Sequence, residues 1–109
     1  MKPQQNRLIW SRDELIVVLD LYFRLPHAKF SASAAEVIET AQLIGRTPAA
    51  VAMRLANYRF FDDGTGLAHG GTHARKVWED LGRNPAQVGV EAAQARARLT
   101  AASSQGNTK

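Results

Sequence analysis

Cysteine is absent from the 109 residues, which excludes disulfides, thiolate zinc sites and cysteine nucleophiles. No apolar run approaches the roughly 20 residues that a membrane-spanning helix needs, and the opening stretch Met1-Lys2-Pro3-Gln4-Gln5-Asn6-Arg7 has no apolar segment behind it, so it does not read as a signal peptide. There is no internal repeat and no alternating stretch that reads as a strand. Acidic residues are the minority charge, 10 against 14 Lys and Arg. Histidine is sparse, with His27, His69 and His73 at spacings that make no metal-ligand motif, because Gly70 and Gly71 break the only His-x-x-x-His. A phosphate-binding P-loop is also excluded, since no Gly-x-x-x-x-Gly-Lys-Ser/Thr is present. No metal, cofactor or catalytic residue is expected.

What is present is a small single domain of net charge +4 and pI near 10.0. Ten of its 14 cations are Arg, the side chain suited to bidentate contacts with phosphate and guanine. The balance favours an anionic partner.

The stretch from Leu43 to Tyr58 carries the clearest signal. Gly45 follows the apolar pair Leu43–Ile44, where a left-handed residue closes a helix. Thr47 is placed to cap the next helix and Pro48 suits its first position. Val51, Leu55 and Tyr58 then share one face, leaving Ala50, Met53, Arg54 and Asn57 on the other. Two helices joined by a Gly-containing turn make a helix-turn-helix, and its exposed face offers small residues, a cation and an amide to base edges. Ala49 and Ala50 permit close approach, Met53 suits a C5-methyl, Arg54 suits guanine and Asn57 adenine. The plain alternative is that Arg54 binds an acidic neighbour and Asn57 caps the helix. Lys2, Arg7, Arg46, Thr47 and Arg59 are candidate phosphate contacts, against a cap and solvated charges.

In chain order, residues 1–9 are a polar basic arm. Ser11 and Glu14 form a capping box, with Trp10 and Leu15 as its hydrophobic staple, and the helix ends before Pro26. Ser33 and Glu36 read as a second box, opening a helix with core face Val37, Ile38, Ala41 and Ile44. Residues 60–73 hold four Gly without helical period and read as a loop, in which His69, Gly70, Thr72 and His73 are candidate DNA contacts. A helix from about Ala74 to Leu81 follows, stopped by Gly82. Asn84-Pro85-Ala86-Gln87 opens a last helix to Leu99, Ala-rich and shallow in packing, and 100–109 read as a tail or linker. Trp10, Tyr22, Phe23, Phe30 and Trp78 are core anchors. The pairs Asp62–Asp63 and Glu79–Asp80 are adjacent and do not converge as catalytic carboxylates.

Two resemblances attach to these residues. Trp10 with Gly45-Arg46-Thr47-Pro48-x-x-Val51-x-x-Arg54 resembles a Myb/SANT or homeodomain-type unit. More widely, Trp10-Ser11-Arg12-Asp13-Glu14-Leu15, Leu19-x-Leu21-Tyr22, Gly45 to Tyr58, Gly66-Leu67-x-His69-Gly70 and Val77-Trp78 are similar to the helical N-terminal domain ahead of HNH nuclease domains in bacterial restriction-type endonucleases. Several such enzymes cut DNA carrying 5-methylcytosine or its hydroxymethyl form. The resemblance implies a DNA-reading head, fused in the full protein to a nuclease, acting in the bacterial cytoplasm on the nucleoid. No HNH motif is present in this chain, so cleavage is not assigned to it.

The expectation is therefore an all-α fold: a trihelical helix-turn-helix core with a Gly-rich loop and two further helices, over residues 10–99. The expected partner is double-stranded DNA, methylated in the sharper form of the reading. A stand-alone transcriptional regulator and a SANT-like protein-interaction domain are the alternatives.

Overall fold

The computed structural model describes residues 9–68 and 71–107, with side chains to position 102. The described residues are all-α: α1 (Arg12–Arg24), a short 3-10 turn (His27–Lys29), α2 (Ala35–Ile44), α3 (Pro48–Asp63), α4 (Thr72–Leu81) and α5 (Pro85–Asn107). None of these helices is long and apolar enough to cross a membrane.

α1 is the axis of the fold. Its capping box is formed as expected, the Glu14 N–H donating to Ser11 Oγ at 3.1 Å and the Ser11 N–H to the Glu14 carboxylate at 3.1 Å. Leu25 turns extended ahead of Pro26 and closes it. Every residue from Leu15 to Tyr22 is buried, Asp20 included. A helix apolar on nearly all sides must be covered on all sides, and α5 covers the face that three helices leave open.

α5 achieves this with small side chains. Val88, Ala92 and Ala95 are fully buried at helical spacing, with Leu99 half-buried on the same stripe. Arg98 clamps both Asp13 oxygens at 2.8 and 2.9 Å, and Arg96 reaches Asp20 at 3.2 Å. The packing is intimate rather than shallow, and the helix runs past Leu99 through Asn107. Asn84 caps it by accepting from the Gln87 N–H at 3.2 Å, while the Gln87 side chain bonds forward to Glu91.

α2 differs from expectation at its start. Its N-cap is Ala34, with no side-chain bond, and Ser33 instead hydrogen-bonds Ser31, so the second capping box does not form. Its core face is Val37, Thr40, Ala41 and Ile44, with Ile38 at the surface. Gly45 closes the helix at φ 75° and the Arg46 N–H returns to the Ala41 carbonyl. Thr47 caps α3 by accepting from the Ala50 N–H at 3.1 Å, with Pro48 in the first turn.

The 60–73 segment is shorter as a loop than expected. α3 continues to Asp63 and ends on left-handed Gly64, and α4 starts at Thr72. Phe60 and Phe61 extend the helix because Phe61 packs against Tyr58 and under Arg75. The aromatic residues gather where α1, α3 and α4 meet: Tyr22 lies edge-on to Trp78 and to Phe23, and beside Tyr58 and Phe30. The Tyr58 hydroxyl donates to the Leu15 carbonyl at 2.8 Å and the Tyr22 hydroxyl to Asp62 at 2.6 Å. Burial pushes both phenols above their ordinary value, and for Tyr22 the Asp62 carboxylate adds to the effect.

Candidate nucleic-acid interface

Trp10, two residues ahead of α1, is buried and organises the surface beside α3. The Arg46 guanidinium lies 4.7 Å and that of Arg54 lies 5.3 Å from its ring centroid, both in cation–π range. Arg46 is used up there: it pairs with Glu14 at 2.9 Å, donates to the Ile9 carbonyl at 2.9 Å, and its side chain is 10% exposed. A guanidinium so engaged ties the N-terminus of α1 to the α2–α3 turn and leaves little of itself at the surface, where a phosphate contact was expected.

Asn57 is likewise drawn inward. It is fully buried, one helical turn past Arg54, and does not reach the surface on which an adenine-reading amide was expected. Its Nδ2 donates to the Leu67 carbonyl at 2.8 Å, and its Oδ1 accepts from Arg54 Nη1. The Leu67 N–H donates in turn to the Ala56 carbonyl at 3.2 Å. The loop lies so close to α3 that a Cβ on Gly66 would sit 2.6 Å from the Ala56 carbonyl oxygen, and one on Gly71 would sit 2.8 Å from Asn57 Oδ1. Both glycines are left-handed, at φ 99° and 73°. Asn57 thus fixes the loop to α3 and, through it, the start of α4 beside Arg54.

Arg54 is half-buried and turned toward α4. Desolvation draws its pKa down; Tyr58 opposes this and the like charge of Arg46 adds to it. As an arginine it stays protonated all the same. It lines a cavity of about 220 Å³ with Trp10, Leu15, Gly71, Thr72 and His73. A second cavity of about 180 Å³ shares Trp10, Leu15 and His73 and adds Arg12 and Lys76. Together they form one groove between the beginnings of α1 and α4.

The edge of α3 that faces solvent is simpler. Ala49 is exposed, Ala50 half-buried, and Met53 is 50% exposed in the middle of the helix. Thr47 is exposed but spends its hydroxyl on the cap. Arg59 pairs with Asp63 at 3.7 Å, on the α3 end away from Met53. Thr72 and His73 are exposed on the first turn of α4. Lys2, Arg7, His69 and Gly70 lie outside the described residues. Among those described, no cluster of three or more His, Asp or Glu is placed to hold a metal. Trp10 as a seat for arginines, and Arg12 and Lys76 as groove cations, were not among the residues expected at the site. A tryptophan ahead of a capping box, with arginines at 46 and 54, was the available signal for the first; nothing marked Lys76.

The arrangement defines a class no finer than an all-α protein with a basic groove beside a capped helix. The chain matches no protein-family model, no curated protein and no solved structure.

Proposed function

We propose that the chain is a binding module for double-stranded DNA that uses α2, the Gly45–Thr47 turn and α3 as a helix-turn-helix. The edge of α3 bearing Ala49 and Met53 lies in the major groove, and Arg54 flanks it. The observation that carries this reading is Met53: a large apolar side chain left half exposed on a firmly capped helix, next to small residues and beside a basic groove. Methyl groups are the apolar feature a major groove presents. The overall charge of +4 supports an anionic partner.

In its sharper form the module is the targeting head of an HNH-type restriction endonuclease, with Met53 against the methyl of 5-methylcytosine. The nuclease activity belongs to a domain other than this one. Fluorescence anisotropy on matched duplexes with and without 5-methylcytosine tests it. Burying one methyl is worth about 0.8 kcal/mol, so a preference of about fourfold for the methylated duplex is expected, lost in Met53→Ala. Equal affinity for the two duplexes would remove methyl reading and favour a general regulator. Absence of binding to either would point to a protein partner.

A further inference from the structure

The groove between α1 and α4 differs in charge from two other clefts among the described residues. The cleft among α1, α2 and α5 sets Glu36 and Glu39 against Arg24 and Arg96, and that beside Phe61 sets Glu79 against Arg75 and Arg83. The α1–α4 groove is lined by Arg54, Arg12, Lys76 and His73 and, among the described residues, by no carboxylate. Outside the lining, Asp80 pairs with Arg12 at 3.0 Å across an exposed rim. Arg54 has no carboxylate within ion-pair distance among the described residues, and Glu14, which reaches the Trp10 cluster, is held by Arg46. Asn57 orients Arg54 through a neutral amide, which fixes the guanidinium without cancelling its charge. A cation part-way out of water, beside a second cation and without a counter-charge, is stabilised by an anion entering next to it.

The kind of anion follows from shape. Trp10 is 8% exposed and two guanidinium groups lie over its ring, so it offers no face on which a base can stack. The Thr72 hydroxyl and His73 add short-range polar partners beside Arg54. We infer that this groove binds phosphodiester groups of a nucleic-acid backbone, Arg54 at one end and Lys76 at the other. The phosphate contacts of the module are then these residues rather than Arg46 and Arg59. The inference rests on the DNA reading for the source of its phosphate.

The test uses the whole chain, labelled with ¹⁵N, titrated first with inorganic phosphate and then with a short unmodified duplex. Saturable shifts of the Arg54 side-chain Nε and of the Thr72 and His73 amides are expected with both. In anisotropy, Arg54→Gln should weaken methylated and unmethylated duplexes alike and lower the slope of log affinity against log salt by about one. Arg54→Lys, which keeps the charge, should retain the slope and so separates charge from folding. Arg59→Gln should leave the slope alone. Duplex binding with these signals unmoved would overturn the groove and leave the DNA reading standing. Saturable phosphate shifts without duplex binding would sustain the groove as a site for free phosphate and overturn the DNA reading. No shift with either probe would end both.

Discussion

At the scale of single residues, Asn57 illustrates how a side chain on the expected recognition face becomes a structural one. It is itself fully buried and spans Arg54 and the Leu67 carbonyl through two part-buried bonds. Asn57→Ala removes them and leaves the part-buried Leu67 carbonyl without its donor, at a cost of about 1 kcal/mol. Urea denaturation measures that loss, and amide exchange at Leu67 should accelerate because its N–H bond to Ala56 depends on the same loop position. Gly71→Ala should cost about 1–3 kcal/mol for a left-handed backbone, before counting the contact with Asn57 Oδ1. Gly45→Ala has the same backbone penalty but open space around its Cβ, so it should be the milder of the two. The turn at Gly45–Pro48 was legible because its chemistry is local: a left-handed glycine, a capping hydroxyl and a proline name their own positions. Asn57 was not, since the loop that buries it returns from ten residues further along the chain.

At the scale of elements, the late ends of two helices share a cause. α3 runs past Arg59 and α5 past Leu99 where local sequence gives a weak helical period, and tertiary packing decides instead. The Ala-rich stripe of α5 implies shallow packing, yet small side chains permit the close approach that buries α1. Ala92→Leu should therefore overpack the α1–α5 contact and cost about 1–3 kcal/mol, while the exposed Ala93→Leu is expected to be close to neutral in the same thermal or urea experiment. The Asp13–Arg98 pair adds a pH dependence. The Arg98 hydrogen bonds hold the Asp13 pKa below the ordinary carboxylate value, against a smaller opposing effect of burial. A depressed carboxylate stabilises the fold above its unfolded pKa, and that stability is lost as pH falls through the folded value. Asp13→Asn should lower the urea midpoint at pH 7, and the gap from the parent chain should close in acid below the ordinary carboxylate range. A gap that persists there unchanged would mean that the pair contributes nothing.

At the scale of the whole molecule, the all-α class was readable from caps, breakers and helical spacing, and the described residues are helical throughout their regular structure. The site was readable only in part. Met53 and Ala49 stand at the surface as their spacing implied, but Arg46 and Asn57 are drawn inward by Trp10 and by the loop. Their burial shifts the cationic surface from the helix face to the groove that α1 and α4 make beside it, a juxtaposition of residues more than 60 positions apart in the chain. The central claim, that this surface meets duplex DNA, is tested most directly by the affinity for one unmodified duplex at about 50 and 200 mM salt. Three or more phosphates neutralised by the groove and the α3 flank would lower affinity by a factor of at least about 40 across that range, from a slope near −0.9 per contact. Undetectable binding at the lower salt, or an affinity indifferent to salt, would contradict it.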